Sequence, residues 1–196
     1  IINQPERLEH YASIIKQENE RLKIQVERVL QLALFEEKSF KLNYKSLSIN
    51  DLIKKTIQPY ALLLEEKNGS YSIEGKHLIA EVDEHHFSNA ISNLIDNAIK
   101  YCREKDSLIE IKITNLKKDI SIKVHDNGIG MEKEEVKHIF KKFYRAPTGN
   151  IHNVKGFGIG LSYVDQIVKM HSGSIKVSSK KNKGTTFEII LPKKQE

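Results

Sequence analysis

The sequence predicts an α+β fold, in which a domain of short strands and helices follows one long helix. Apolar residues recur every seven positions from about residue 6 to residue 37, which is typical of a helix that packs on another helix. After residue 45, alternating apolar and polar residues predict strands, and apolar residues three or four positions apart predict the helices between them. Two glycine clusters at the ends of such elements indicate where a ligand could bind.

Length and composition fit one ordinary domain with an appendage. The chain has 196 residues and a formal net charge of +6, with small concentrations of lysine at Lys141-Lys142 and Lys180-Lys181. We interpret the charge as a solvated surface and expect no nucleic-acid partner. No apolar stretch approaches the ~20 residues of a membrane span, and no signal-peptide pattern opens the chain. Cys102 is the single cysteine, which fits a reducing compartment. The His, Cys and carboxylate residues do not show the spacing of metal ligands, so we expect no structural zinc site.

The N-terminal part predicts a long coiled-coil-like helix from about Glu6 to Glu37. Its two heptad series are Leu8, Ile15, Leu22, Val29 and Ala12, Asn19, Val26, Ala33. Asn19 is a polar seam residue of the kind that can set register. Because such a helix cannot bury its apolar stripe alone, we expect it to pack on another helix or another chain.

The next stretch predicts a connector, a short strand and a kinked helix. Ser39 to Lys45 is the connector, Leu47 and Ile49 form the strand, and Asn50 is the expected N-cap of a helix that reaches Glu66. Pro59 should kink that helix or lie near an irregular turn. Asn68-Gly69 ends it, and two strands follow, at residues 71–74 and 77–82.

A helix from Asp83 to Tyr101 carries a buried face and an unusual polar face. The buried face is predicted to consist of Phe87, Ile91, Leu94, Ile95 and Ala98. The polar face carries Asn89, Asn93 and Asn97, then Lys100 and Tyr101. Asn is a poor helix former, and a solvated face would usually carry Lys or Glu instead. We therefore favour a functional amide stripe that could ligate a hydrated Mg²⁺ and face phosphate oxygens.

The first glycine cluster follows a predicted antiparallel hairpin. Its strands span residues 108–114 and 118–125, and the second runs directly into Asp126-Asn127-Gly128-Ile129-Gly130. This places an acceptor carboxylate at the tip of a strand, before glycines that allow a ligand to approach the backbone.

The second glycine cluster, Gly156-Phe157-Gly158-Ile159-Gly160-Leu161, precedes a helical pattern that Gly173 closes. Free N–H groups at a helix N-terminus form an anion site. A carboxylate and a phosphate cradle together suggest a nucleotide, although a turn and a loop that merely need glycine would explain either cluster alone. The segments between and after the clusters predict a short helix at 132–140, a polar lid at 141–155 and a last hairpin of strands 175–178 and 185–191.

Taken together, these motifs resemble the catalytic, ATP-binding domain of two-component sensor histidine kinases, of the Bergerat-fold ATPase/kinase superfamily. The matching segments, in chain order, are the N box at 93–101, the first glycine box at 126–130, the F box at 139–145, the second glycine box at 156–162 and the third at 184–187. The resemblance implies a two-layer α/β sandwich at 45–196, preceded at 1–44 by the second helix of the dimerisation and phosphotransfer domain with its linker.

The resemblance also implies a role for each site residue. Asp126 would accept from the adenine amino group, with Gly128 and Gly130 beside it. Asn97 would ligate Mg²⁺, Asn93 would face the γ-phosphate, and Lys100 would neutralise phosphate charge, which makes Asn93 and Lys100 the catalytic candidates. Tyr101 would pack on the nucleotide, and Gly156, Gly158, Gly160 and Leu161 would surround the phosphates.

Two assignments leave alternatives open. Thr185 or Thr186 would bond near the adenine, and strand alternation favours Thr185 if Phe187, Ile189 and Leu191 are the buried set. Phe140, Phe143 and Arg145 would anchor and close the lid, although plain core packing is an almost equal explanation for the two Phe residues.

The implied activity is transfer of the ATP γ-phosphate to a histidine on a dimerisation helix, with ATP and Mg²⁺ as cofactors. No histidine here fits the phosphoacceptor motif, including His10, His85-His86 and His171, so we expect the acceptor helix to precede residue 1. Expected partners are a response regulator receiver domain and a second copy through the N-terminal helix. The expected location is the cytoplasm, without membrane contact by this segment and with a parent protein anchored in the bacterial inner membrane.

Two other functions compete with the kinase. An ATP hydrolase of the gyrase or mismatch-repair type would use a Glu one turn before the Mg²⁺-ligating Asn, but Asn93 stands there, and an amide cannot accept a proton at neutral pH. A nucleotide-sensing module without chemistry is the other alternative, which the intact boxes disfavour.

Overall fold

The computed structural model describes residues 11–16, 18–19, 22, 26, 41–66, 68–102, 106–146 and 158–195. The chain divides into two compact units, Ile1–Lys41 and Leu42–Glu196. In the first unit the described residues between 11 and 26 are helical, and the seam residues Ile15, Leu22 and Val26 are all more than half exposed. The rest of the predicted helix, including Leu8, Val29 and Ala33, lies outside the described residues.

The described residues of the second unit contain seven strands in two sheets. The strands are β1 (Tyr44–Ser48), β2 (Ser70–Gly75), β3 (Ile79–Asp83), β4 (Leu108–Asn115), β5 (Asp119–Asp126), β6 (Ser174–Lys180) and β7 (Gly184–Pro192). The larger sheet has the order β2-β4-β5-β7-β6, and β1 and β3 form a separate antiparallel pair. Within the large sheet only β2 and β4 are parallel, whereas β4–β5, β5–β7 and β6–β7 are antiparallel. Both predicted hairpins are therefore confirmed.

The helices of this unit are α1 (Ile49–Ile57), α2 (Ala61–Glu66), α3 (Glu84–Tyr101), α4 (Lys133–Val136) and α5 (Gly160–Met170), with a 3₁₀ turn at Gln58–Tyr60. α3 packs against β4, β5, α1 and α5, so helices form one layer and the large sheet the other. The predicted buried face of α3 is confirmed, since all five of its apolar residues are at most 3% exposed. The mixed two-layer architecture of this unit agrees with the predicted α+β fold class, whereas most of the predicted long helix lies outside the described residues.

The start of α1 corrects the sequence-based expectation. The sequence pattern predicts Ile49 in a strand and Asn50 as the N-cap. The N-cap is instead Ser48, whose hydroxyl accepts from the Asp51 N–H at 3.3 Å, and Ile49 is the first helical residue. The Asn50 side chain instead contacts the loop before β3, donating to the Gly75 carbonyl and accepting from the Leu78 N–H. The local pattern allowed either cap, and this tertiary contact decided between them.

Other boundaries differ for reasons visible in the backbone. β1 begins at Tyr44, inside the predicted connector, because Tyr44 pairs with Asp83 across the small sheet. The predicted kink at Pro59 is confirmed as the 3₁₀ turn between α1 and α2. The helix expected at 132–140 is α-helical only over α4. It tightens beyond that point, where His138 and Lys141 each donate to the carbonyl three residues earlier.

Candidate functional site

Asp126 lies at the end of β5 as a buried acceptor. The residue is 6% exposed, and its Oδ1 accepts from the Gly128 N–H at 2.9 Å. Burial raises the pKa of Asp126 above its ordinary value, while hydrogen bonds from the Gly128 and Thr185 backbones and the charge of His125 act in the opposite direction. A buried carboxylate with acceptor capacity beyond these bonds suits a ligand that presents an N–H group.

Gly128 is required where the loop after β5 meets the end of α3. A Cβ added there would lie 2.2 Å from the Tyr101 carbonyl oxygen and 2.7 Å from Asp126 Oδ1. The neighbouring Ile129 N–H donates to the same Tyr101 oxygen at 3.0 Å. Gly130, with φ of +62°, packs instead on the Lys180 carbonyl at the β6–β7 turn. The glycines of the first cluster therefore join the loop to α3 and to the hairpin.

The structure places the two threonines of β7 on opposite faces. Thr185 pairs with Asp126 across the strands, is 6% exposed, and its hydroxyl lies 2.9 Å from Ser179 Oγ. Thr186 points the other way, to His125 Nδ1 at 2.9 Å. Phe187, Ile189 and Leu191 are buried as expected, so Thr185 is the threonine on the Asp126 side. Asp126, Gly128 and Thr185 are referred to below as the carboxylate wall.

The amide stripe of α3 approaches the start of α5. Asn93 is 7% exposed, and its Nδ2 donates to the Asn89 carbonyl at 2.8 Å, which fixes the side-chain amide. Its Oδ1 lies against Gly160, where an added Cβ would be 2.8 Å from that oxygen. Asn97, one turn further along the same face, is half-buried. Asn93 therefore presents its amide oxygen beside the first residue of α5, and Asn97 lies one turn further along the same face of α3.

The glycines around the start of α5 leave an uncapped helix N-terminus. Gly158 has φ of +70°, and an added Cβ would lie 2.5 Å from the Tyr144 carbonyl. Gly160 is the first helical residue, and Ile159 before it supplies no side-chain cap. Leu161 follows in the first turn, and Gly156 lies outside the described residues. N–H groups of such a helix start are available to an anion.

Two charged or polar residues end α3. Lys100 Nζ pairs with Asp96 Oδ2 at 2.5 Å, with both side chains about one-third exposed. Burial raises the pKa of Tyr101, the charge of Arg145 opposes that shift and the charge of Asp96 adds to it. Asn93, Asn97, Lys100 and the 158–161 segment are referred to below as the amide wall.

The residues of the F box separate by environment. The Phe140 ring packs edge-on against the Phe187 ring, with the ring centroids 6.4 Å apart. Phe140 therefore anchors this segment on the sheet. Phe143 is 67% exposed and has φ of +64°, and its N–H donates to the Gly158 carbonyl at 2.9 Å. Arg145 is exposed, and residues 147–155 of the predicted lid lie outside the described residues. Phe140 is half-buried and packs against a core side chain, whereas Phe143 is exposed and core packing does not explain it.

The structure adds residues that the sequence reasoning did not select for the site. Asp96 holds the Lys100 ammonium, and a carboxylate four residues before a lysine on a helix was the available signal. Ser179 contacts Thr185 and also donates to the Gly184 carbonyl, which no local pattern indicated.

The site can hold a ligand that donates to a buried carboxylate at one wall and carries anionic oxygens at the other. Amide oxygens such as that of Asn97 are suitable Mg²⁺ ligands. Among the described residues, no three His, Cys, Asp or Glu side chains converge on a metal position. Within the same part of the chain, no helix is long and apolar enough to cross a membrane.

Comparison with known proteins places this geometry in a family. Residues 82–195 match the model of the histidine kinase-, DNA gyrase B- and HSP90-like ATPases. The chain is 42% identical over 191 residues to the sensor protein RprX of Bacteroides fragilis and 33% identical over 187 residues to the signal transduction histidine-protein kinase ArlS of Staphylococcus aureus. These alignments cover 96% and 95% of the chain but 37% and 41% of the relatives, so it spans about two-fifths of their length.

A solved structure shares the fold. The histidine kinase ThkA in complex with the response regulator protein TrrA superposes with a TM-score of 0.75 over 98% of this chain and 53% of that one, at 23% identity. With more than half of its residues matched to the family model, including both walls of the site, the chain belongs to the histidine kinase-, DNA gyrase B- and HSP90-like ATPases.

Proposed function

We propose that this chain is the ATP-binding catalytic region of a sensor protein-histidine kinase. In this role it transfers the ATP γ-phosphate to a histidine on a dimerisation helix, for onward transfer to a response regulator. The observation that carries the proposal is the contact of Asn93 with Gly160, because it joins the amide stripe to an anion-binding helix start. Similarity to RprX and ArlS over nearly the whole chain supports the same function.

The roles we propose for the two walls are those that the family resemblance implies, and the chemistry of the residues supports them. Asp126 accepts from the adenine amino group, with the Thr185 hydroxyl beside it. The N–H groups around Gly158, Gly160 and Leu161 bind phosphate oxygens, and Lys100 leaves Asp96 to neutralise phosphate charge. Asn97 is the residue that would hold Mg²⁺, whose chemistry is charge neutralisation on the phosphates. Catalysis then rests on positioning and electrostatics rather than on a protein-derived nucleophile.

Asn93 separates the kinase from a hydrolase. A hydrolase needs a base at this position to deprotonate water, whereas the Asn93 amide cannot accept a proton and is already held by the Asn89 carbonyl. Water is therefore not activated here, and a histidine brought to the γ-phosphate can attack it as the nucleophile.

The whole-protein context belongs to the same proposal. We assign residues 1–44 to the second dimerisation helix and its linker, and residues 45–196 to the catalytic domain. The exposed seam residues Ile15, Leu22 and Val26 support pairing with a second copy, which Leu22→Glu should weaken in sedimentation experiments. A receiver domain, as in the ThkA–TrrA complex, is the second partner. We assign this segment to the cytoplasm and propose that its parent protein is anchored in the bacterial inner membrane.

A single-turnover assay tests the proposal. The chain is mixed with γ-labelled ATP, Mg²⁺ and a separate fragment that carries the acceptor helix of a related kinase. We expect acid-labile label on the fragment, none on this chain, and none when the acceptor histidine of the fragment is replaced. Release of free phosphate faster than labelling would instead indicate a hydrolase. Nucleotide binding without either product would indicate a sensing module.

A further inference from the structure

Helices α3 and α5 lie antiparallel, with the proposed site at one end of the pair. Residue numbers rise along α3 while they fall along α5 in three successive contacts. The Asp83 N–H, just before α3, donates to His171 Nε2 at 3.0 Å. His86 Nδ1 lies 3.2 Å from the Tyr163 hydroxyl. Further along, Asn93 Oδ1 lies against Gly160. His171 therefore closes the end of the helix pair that is remote from the site.

His171 uses both ring nitrogens in this contact and is fully buried. Its Nε2 accepts from the Asp83 N–H, and its Nδ1 lies 2.8 Å from the Ile167 carbonyl, to which it must donate. A neutral ring protonated on Nδ1 satisfies both bonds at once. One side chain thus joins the last turn of α5 to the residue that caps α3.

The surrounding residues hold this junction in place. Asp83 Oδ1 accepts from the His86 N–H at 3.0 Å and Oδ2 from the Asn43 N–H at 2.8 Å. The Tyr44 ring meets the His171 ring edge-on at 5.4 Å, and its hydroxyl donates to the Met170 carbonyl at 2.7 Å. Asn43, Tyr44, Asp83 and His171 are referred to below as the end clamp. The end clamp ties both helices to the first strand of the domain.

We propose that His171 is a positioning residue for nucleotide binding, which acts by fixing the register of α5 along α3. Asp83 and Asn93 are ten residues apart, or ~15 Å along a helix. A slide of α5 by one residue, ~1.5 Å, would move Gly160 and its N–H groups away from Asn93, and a displacement of that size is enough to weaken phosphate contacts strongly. The inference rests on the proposed nucleotide site.

Two variants of His171 separate its bonds. The amide of His171→Gln reaches the position of Nε2 and can accept from the Asp83 N–H, whereas that of His171→Asn reaches only the position of Nδ1. We expect His171→Asn to weaken Mg²⁺·ADP binding about tenfold, the equivalent of one lost buried hydrogen bond, and His171→Gln to stay within about threefold of the unaltered chain.

Affinity is measured by calorimetry at a temperature where circular dichroism shows each variant fully folded, so that lost stability does not count as lost affinity. Unchanged affinity in both variants would overturn the proposal. An equal loss in both would also overturn it, because ring packing rather than the Asp83 bond would then be the cause.

A second measurement uses the unaltered chain and does not depend on the variants folding. If the end clamp favours nucleotide binding, nucleotide must by linkage favour the end clamp. We expect Mg²⁺·ADP to slow hydrogen exchange of the Asp83 amide, while the Leu116 amide, bonded to Asp119 in the β4–β5 turn, keeps its rate. Binding of ADP with no change at Asp83 would overturn this inference alone. Absence of ADP binding would overturn the proposed function and this inference with it.

Discussion

The two walls of the site are built in different ways. In the carboxylate wall, Asp126 and Thr185 are each 6% exposed, and main-chain N–H groups hold the carboxylate. In the amide wall, the Lys100 side chain is 35% exposed and pairs with Asp96, and the neighbouring Phe143 is 67% exposed. Backbone contacts hold the carboxylate wall in place, whereas part of the amide wall depends on side chains that solvent can reach.

This difference indicates which wall is formed before the ligand arrives. The carboxylate wall is fixed by sheet register and by close backbone contacts, so it should change little on binding. At the amide wall Lys100 must exchange a carboxylate for phosphate, and an exposed ion pair offers little resistance to that exchange. We therefore expect substitutions in the first wall to have large effects and those in the second to have graded ones.

The largest effect is expected for Gly128→Ala. Its Cβ would lie 2.2 Å from the Tyr101 carbonyl, a backbone atom that cannot rotate away. The loop must shift, which should destabilise the fold by about 1–3 kcal/mol and weaken ADP binding by about 100-fold. Urea unfolding and calorimetric titration measure the two effects. Near-normal affinity would mean that the carboxylate wall adapts after all.

Asp126→Asn should come next. An amide can present a donor where the ligand also donates, and a mispaired buried group costs about 1–3 kcal/mol, or one to two decades of affinity. Calorimetric titration with ADP and with GDP distinguishes lost base reading from general damage, because only the ADP affinity should fall strongly. Equal ADP affinity in the variant and the unaltered chain would exclude Asp126 as the adenine acceptor.

The raised pKa of Asp126 gives this residue a pH dependence of known sign. Because the folded state favours the protonated carboxyl, Asp126 adds to the free energy of unfolding at low pH. This contribution is fully present below the unfolded pKa of 3.8 and is lost as pH rises through the higher folded pKa. Nucleotide affinity should change in the opposite sense, because the protonated carboxyl no longer offers the same acceptor. We expect affinity to fall by up to about tenfold on acidification, and we expect Asp126→Asn to lack that part of the pH profile.

Gly160→Ala should have a smaller effect, because its Cβ would meet a side chain. The contact is Asn93 Oδ1 at 2.8 Å, and the amide can rotate at the expense of its bond to the Asn89 carbonyl. We expect ADP affinity to fall about fivefold, the equivalent of about 1 kcal/mol, with unfolding stability little changed. A loss as large as that of Gly128→Ala would show that the amide wall is as rigid as the carboxylate wall.

The smallest effect is expected for Asp96→Asn. The Asp96–Lys100 pair is partly exposed and spaced four residues apart, so its loss should change stability by no more than about 0.5 kcal/mol. ADP should bind equally or slightly more tightly, since Lys100 no longer exchanges one carboxylate for the phosphates. Lys100→Gln is the matched comparison and should weaken binding. Clear weakening in Asp96→Asn would mean that Asp96 itself contributes to the site.

Much of this site could be predicted where spacing alone decides which side chains share a face. The amide stripe follows from the helical period, and the choice of Thr185 over Thr186 follows from strand alternation, once the buried set of β7 is known. Asp126 could be found because a strand that runs into Asp-x-Gly-x-Gly places a carboxylate at its tip, and because a second glycine cluster accompanies it; a simple turn would explain either cluster alone. The order of the boxes then indicated the family, which the match over residues 82–195 confirms.

Predictions were wrong or incomplete where local preferences were nearly balanced. Ser48 and Asn50 are both good N-caps, and the contacts of the Asn50 side chain with Gly75 and Leu78 decided the outcome. The two strands after Asn68-Gly69 also follow each other in sequence, yet β2 joins the large sheet beside β4 and β3 joins β1. Adjacent strands compete for partners across the whole domain, and that competition has no local signal.

The sequence by itself determined the periodic faces, the glycines beside close backbone contacts and the chemistry of both walls, because each depends on residue type and spacing. Only the tertiary structure decided how α3 and α5 come together to form the amide wall. The bond from the Asp83 N–H to His171 links residues that are 88 positions apart in the sequence. The contact of Asn93 with Gly160 links residues that are 67 positions apart. Such contacts depend on how two helices pack over one sheet, and packing reflects the shapes of all the buried side chains together.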